Sequence, residues 1–157
     1  MKPKLIPLIV SILFCQLAGL LGSFFTAPAI PVWYASLKKP WFNPPGWLFG
    51  PVWIGLYALM GVAAYLIWEE GIGKKEVKIA LIIFALQLIL NALWSILFFG
   101  VQSPKLALIE IVILWLFIFL TIWKFAKISS LAGLLLLPYL AWVSFAALLN
   151  FFIFRLN

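Results

Sequence analysis

The sequence predicts an all-α integral membrane protein, a single domain over residues 1–157 folded as a five transmembrane helix bundle. Three observations predict it. Hydrophobic residues make up 67% of the 157 positions and charged residues only 10%, with a mean hydropathy of +1.22. No water-soluble fold of this length could cover that much apolar surface. Five runs, at about 5–24, 46–68, 79–99, 106–123 and 131–154, are free or nearly free of charge. Each approaches the roughly 20 residues a helix needs to cross the hydrocarbon core. Glycine, proline and lysine separate the runs, and helices are the form such runs take in lipid because unpaired backbone groups are prohibitively costly there.

The first run follows Lys2 and Lys4. It is too long for the apolar segment of a cleaved leader, and Pro28 sits inside the only candidate cleavage site, Ala27-Pro28-Ala29, so the run is expected to stay as a span. Cys15 follows the bulky Phe14, unlike a lipoprotein cysteine, and reads as a buried apolar residue. Residues 25–45 form a loop, and the stretch 33–53 (WYASLKKPWFNPPGWLFGPVW) holds four of the nine tryptophans and four of the ten prolines. This is a stiff recognising surface at the mouth of the bundle. The second run opens on Pro44, Pro45 and Gly46, with Pro51 in its first turns where a missing N–H costs least. Gly71 and Gly73 end it, Gly100 ends the third, and Pro104 precedes the fourth. Gly46 and Gly50 have helix-packing spacing but read as a tight turn at a proline-rich helix entrance.

Charge sets orientation and excludes chemistry. Lys2, Lys4, Lys74, Lys75, Lys78, Lys124 and Lys127 fall on one side of a five-span topology, against Lys38, Lys39, Lys105 and Arg155 on the other. The excess places the N-terminus in the cytoplasm, with the 25–45 loop and the C-terminus outside. Basic residues at span ends anchor helices to headgroups and make no stripe for nucleic acid. With no histidine in the chain, histidine-based triads, metal sites and haem ligation are absent, and neither a metal nor a cofactor is expected. Glu69, Glu70 and Glu76 share a short loop with three lysines and read as a solvated turn. Glu110 lies five residues past Lys105, about 7 Å along the fourth helix. It is expected at headgroup depth, paired with Lys105 or another basic side chain, the alternative being a functional carboxyl inside the span.

Polar and aromatic residues recur at helical spacing. Trp53, Tyr57, Met60 and Ala64 share a face of the second helix; Gln87, Asn91, Trp94 and Phe98 share one on the third. Tyr139, Trp142, Ala146 and Asn150 do so on the fifth, and Gln16, Gly19 and Ser23 make a small polar stripe on the first. Amides in lipid seek partners, so these faces turn inward. Gln87 and Asn150 read as interhelical hydrogen-bonding groups, whereas the combined tryptophan faces read as the wall of a pocket for a flat, largely apolar ligand.

Motifs along most of the chain resemble one family. They are WYASLKKP at 33–40, NPPGW at 43–47, GPVWIGLYALMG at 50–61, LNALWSILFFG at 90–100 and PYLAWVSFAALLNFFIFR at 138–155. The chain resembles the TspO/translocator-protein family, the tryptophan-rich sensory proteins also called peripheral benzodiazepine receptors. The resemblance implies a five-helix membrane bundle, commonly a homodimer, with a cavity capped by the loop between the first two helices. It implies ligands such as porphyrins (protoporphyrin IX among them), sterols in eukaryotic members, and synthetic benzodiazepine or isoquinoline carboxamide drugs.

Carried over by position, the family's cavity residues are Tyr34 and Pro44 in the loop, Trp53, Asn91 and Trp94, and Trp142 with Ala146 on the fifth helix. In this picture Trp53 and Trp142 clasp a planar ligand, Asn91 offers an amide, and Tyr34 with NPPGW closes the lid. The chain departs from sterol-binding members: Phe151 and Phe152 stand where the pattern before Arg155 calls for tyrosine. Val32, Trp33, Tyr34 and Lys38 fit that loose pattern elsewhere. The resulting expectation is a receptor- or sensor-type protein of a prokaryotic cell membrane that binds porphyrins or related planar ligands. The alternatives are light- and oxygen-dependent porphyrin breakdown, with Trp53 and Trp142 as candidate catalytic groups, and transport.

Overall fold

Five membrane-length helical segments account for nearly all of the computed structural model, which describes residues 4–157; Lys2 lies outside the described residues. The elements are α1 (Leu5–Ala29), α2 (Phe49–Glu69), α3 (Lys75–Ser95), α4 (Pro104–Ile128), α5 (Ser130–Leu135) and α6 (Leu137–Leu156). All five segments are long and apolar enough to span a bilayer, and the protein is an integral membrane protein.

The helical segments overrun their apolar runs, the first by the most. Helix α1 carries on past residue 24 to Ala29 and then, as a π-helical turn, through Ile30–Tyr34. Pro28 and Pro31 supply no N–H, and the chain answers by widening: the N–H of Ala35 reaches the carbonyl of Ile30. The expected 25–45 loop therefore shrinks to its second half. Helix α3 ends in a second π-helical turn, Ile96–Gly100, and reverses through Gln102 at φ 57. Ser103 then caps α4, its Oγ accepting from the N–H of Leu106 at 3.3 Å, with Pro104 in the first turn. The fifth segment, expected as one run, is two helices broken at Leu136, because Pro138 cannot donate back into the preceding turn. Gly71, at φ +111, ends α2 in the left-handed region that glycine enters without penalty. Gly46 opens a 3-10 turn (Gly46–Leu48) at the entrance to α2.

Packing places α1 against α2 and α3, α3 against α4, and α4 against α5 and α6. The core lies among α2, α3, α4 and α6, where Met60, Ile67, Ile111, Ile118, Phe125 and Val143 are buried. Cys15 is buried and unpaired. Outward faces are leucine, isoleucine and phenylalanine, the lipid-facing surface of a bundle. At one rim, Lys124 and Lys127 hold their ammonium groups 4.9 and 3.8 Å from the Trp123 ring centre, an arrangement suited to headgroup depth.

Helices α1 and α2 approach closely at Gly61, where a Cβ would lie 2.5 Å from Ile12 Cα, and the Gly61 carbonyl accepts from Ser11 Oγ at 2.8 Å. A Cβ on Gly50 would meet nothing within 4 Å. Gly61→Ala is therefore expected to force α1 and α2 apart at a cost of about 1–3 kcal/mol. Gly50→Ala should be neutral or stabilising by up to about 1 kcal/mol. Thermal unfolding of the two variants in detergent, followed by circular dichroism, checks the contrast.

Candidate functional site: an aromatic cavity in the bundle

The inward faces of α2, α3 and α6 leave the core open on the α1 side, and the space between is a cavity of about 1120 Å³. Its aromatic wall is Trp53, Tyr57, Trp94 and Trp142, with Phe49 and Phe99 at the loop end. Trp53 stacks on Tyr57 with ring centres 5.5 Å apart and meets Tyr139 edge-on at 6.2 Å. Trp142 is braced by Phe49 at 6.1 Å and Phe145 at 5.5 Å. Ala146 leaves room beside Trp142 and also borders a second void of about 20 Å³ under Tyr34, Phe49 and Phe98. Among the described residues, no lysine, arginine or carboxylate lines either space.

A buried hydrogen-bond chain holds the wall from behind. Tyr57 Oη donates to Asn91 Oδ1, Asn91 Nδ2 donates to Tyr139 Oη at 2.8 Å, and Tyr139 Oη donates to Gln87 Oε1 at 2.8 Å. The Gln87 amide then points at Met60 Sδ, 3.9 Å away. Three helices are joined by groups that lack any other partner in hydrocarbon. Trp94 Nε1 donates to Asn150 Oδ1 at 3.1 Å, and Asn150 Nδ2 to the Pro104 carbonyl at 2.8 Å. The Trp53 and Trp142 indoles differ: they line the cavity, and no described residue accepts from their N–H groups.

Of the residues singled out from sequence, Trp53, Tyr57, Trp94, Trp142 and Ala146 come together on the cavity wall, and the α1 stripe of Gln16, Gly19 and Ser23 lines it too. Asn91 does not reach it; the amide expected to face a ligand stands behind Tyr57 and is engaged by two tyrosines. Tyr34 is buried at the end of the π-helical turn, lines only the small void, and donates to Asn43 Oδ1 at 2.6 Å. Pro44 lines neither space, and its carbonyl accepts from Asn43 Nδ2 at 3.0 Å. On α1, Gln16 donates to the Ile54 carbonyl at 3.0 Å, and Gly19 takes the Tyr57 ring, which would lie 2.4 Å from a Cβ there. Ser23 turns back to the Leu20 carbonyl at 2.7 Å. Sequence reasoning missed Phe49, Phe99 and the α1 side chains Leu13, Phe14, Leu17 and Leu20, all of which line the cavity. The α1 residues carry no signal that separates a cavity-lining leucine from a lipid-facing one.

Glu110 does not pair with Lys105 or with another basic side chain among the described residues. It is 5% exposed, on the same inward face of α4 as Ala107 and Ile111, and neither carboxyl oxygen has a hydrogen-bond partner among the described residues. Lys105 lies on the exposed side of the same helix, five residues and so about 140° from Glu110. The ion pair found among the described residues is instead Lys4 Nζ to Glu69 at 3.7 Å. Glu69 thus ties the end of α2 to the start of α1, where a solvated turn was expected. No cluster of three or more metal-ligating side chains occurs among the described residues.

Fold and site together define a class: a membrane protein of five spanning segments with a tryptophan-walled cavity. A family model described as the TspO/MBR family matches residues 11–156, and the chain belongs to that family. It is 47% identical over 157 residues to the tryptophan-rich protein TspO of Chlorobaculum tepidum, covering 100% of this chain and 99% of that protein. It is 43% identical over 126 residues to the tryptophan-rich sensory protein of Cereibacter sphaeroides, covering 80% and 77%. The translocator protein of Bos taurus is 39% identical over 152 residues, covering 96% and 90%.

Asn91→Leu strands the hydroxyls of Tyr57 and Tyr139 and is expected to cost about 1–3 kcal/mol for each group left unpaired. Glu110→Met removes an orphaned carboxyl at little change of volume and is expected to stabilise by about 1–3 kcal/mol. Unfolding midpoints of both variants in the same detergent should move in opposite directions.

Proposed function

We propose that the chain is a receptor- or sensor-type membrane protein whose cavity takes planar, largely apolar ligands of the porphyrin class. One observation carries the reading: Trp53 and Trp142 present broad rings to the cavity while their N–H groups remain available to acceptors on a ligand. The volume, about 1120 Å³, lies just above the roughly 300–1,000 Å³ usual for small-molecule sites, and suits a large flat ring system. Asn91 acts through Tyr57, fixing the plate on which Trp53 stacks. The name of the sensory relative from Cereibacter sphaeroides accords with this role. A second reading, light- and oxygen-dependent breakdown of a bound porphyrin, draws on the same two indoles as oxidisable groups.

Quenching of tryptophan emission by protoporphyrin IX in the dark should be saturable for the wild type. After correction for the lost fluorophore, it should be about tenfold weaker for Trp53→Phe or Trp142→Phe, the loss expected when one aromatic contact and one hydrogen bond are weakened. Linear quenching, equal in all three proteins, would overturn the reading. A new absorbing product on illumination, diminished in both variants, would favour breakdown over binding alone.

The same proposal sets the chain as a homodimer in a prokaryotic cell membrane with its N-terminus cytoplasmic. Lys4, Lys74, Lys75, Lys78, Lys124 and Lys127 lie at the helix ends on that side, which favours retention inside. A cysteine introduced at Gly73 should resist a membrane-impermeant thiol reagent in intact cells, and one introduced at Ser36 should react.

A further inference from the structure

The loop is tied to α6, while the cavity is incomplete along the side of α1 and the entrance to α2, where the lining residue Trp47 is 73% exposed. At the loop end Asn157 brackets Lys38, donating from Nδ2 to its carbonyl at 2.9 Å and accepting its N–H at 3.0 Å. Phe42 packs edge-on against Phe152 at 5.4 Å and Phe145 at 6.2 Å, so the loop is held to α6 by both polar and aromatic contacts. On the α1 side the lining residues Leu13, Phe14, Leu17 and Leu20 are themselves 54–60% exposed at the outer surface. Ile54 of α2 lines the cavity and is 62% exposed. Residues from two neighbouring helices can do both only where the cavity meets the outer surface, and here that surface is the one turned to lipid.

The seam between α1 and α2 is graded along its length. Towards the start of α1 it is sewn tight at Gly61 and Ile12 and by Lys4, whose N–H donates to Tyr65 Oη at 2.8 Å. Midway, Gln16 Nε2 bridges to the Ile54 carbonyl at 3.0 Å. Towards the loop the seam is open: Gly50 lines the cavity, and a Cβ there would meet nothing within 4 Å. We propose that the ligand enters and leaves sideways, from the hydrocarbon of the membrane, between α1 and α2 on the loop side of the Gln16–Ile54 bridge, while the loop stays closed. A planar apolar ligand concentrates in the bilayer, and this route takes it from lipid to an apolar wall without passing the polar loop.

This route rests on the ligand reading above, and one set of rates separates the two. A route, unlike a contact, changes association and dissociation by the same factor and leaves Kd unmoved. With the protein in phosphatidylcholine nanodiscs and protoporphyrin IX as the probe, association is followed by tryptophan quenching and dissociation by chase with excess empty nanodiscs. Leu17→Trp and Leu20→Trp, enlarged on the lipid side, should slow both rates by about tenfold. Because both residues also line the cavity Kd can shift, but by much less than either rate. Asn157→Ala should leave both rates within about twofold. Acceleration of both rates by Asn157→Ala, with no effect of the tryptophan substitutions, assigns entry to the loop and overturns the route. Equal rates in every variant overturn it too, as does a change in Kd without a change in association rate. If the wild type shows no saturable quenching, the ligand reading fails and the route falls with it; saturable quenching with any of the other results sinks the route alone.

Discussion

Polar groups placed inside hydrocarbon have nowhere to turn except to each other, and the amide of Asn91 shows how far one residue can satisfy that constraint. It accepts from Tyr57 on α2 and donates to Tyr139 on α6, while the Tyr139 hydroxyl donates to Gln87 one turn away on α3. Helix association in lipid gains little from apolar burial, because the bilayer is as apolar as the side chains. A directed chain of hydroxyls and amides therefore fixes the rotation of α2, α3 and α6 in a way that leucine contacts would not. Once those rotations are fixed, Trp53 stacks on Tyr57 and faces inward, Trp94 reaches Asn150, and the cavity wall follows.

A cavity of this size has a physical cost, since its lining forgoes dispersion contacts on one side. The cost is contained by rigid aromatics braced against one another at the loop end, where Trp33, Tyr34, Trp94, Phe98 and Phe99 form one set of edge-on, tilted and stacked rings. Large rings hold shape with few rotatable bonds. Tyr34 and Asn43 close the loop internally and Asn157 ties it to α6. Glu110 stands outside this economy of partners, buried and without a hydrogen bond among the described residues.

Much of this was legible in the sequence because period and chemistry agreed. Spacings of four, seven and eleven residues brought Trp53, Tyr57, Met60 and Ala64 to one face, and Met60 is fully buried with Tyr57 and Ala64 beside it. Gln87 and Asn150 were legible as interhelical groups for the same reason. The role of Asn91 was not, because spacing shows which face an amide occupies and not whether another side chain intervenes. The missing partner of Glu110 was not legible either, because nearness to Lys105 along the helix axis says nothing of the angle around it that sets burial. The break at Leu136 was signalled by Pro138 but hidden by unbroken hydropathy. The persistence of α1 through Pro28 and Pro31 depends on a π-helical widening that residue preferences do not encode.

The first helix is where sequence and structure part most. Every outward residue of α1 satisfies the pattern of a lipid-facing span, and in a soluble protein such a stripe would have to be covered. In a bilayer it need not be, so the same leucines can complete a cavity wall at no cost in exposed apolar area. Attachment of α1 is accordingly uneven. It is close and hydrogen-bonded at Ser11, Ile12 and Gly61, and it meets Tyr57 through Gly19. Near Gly50 it leaves α2 uncovered. Had α1 been polar, or had a bulky residue stood at Gly50, the aromatic cavity would be walled off from the membrane. The composition of this one helix decides whether the bilayer is only the solvent of the fold or also the medium from which its ligand is drawn.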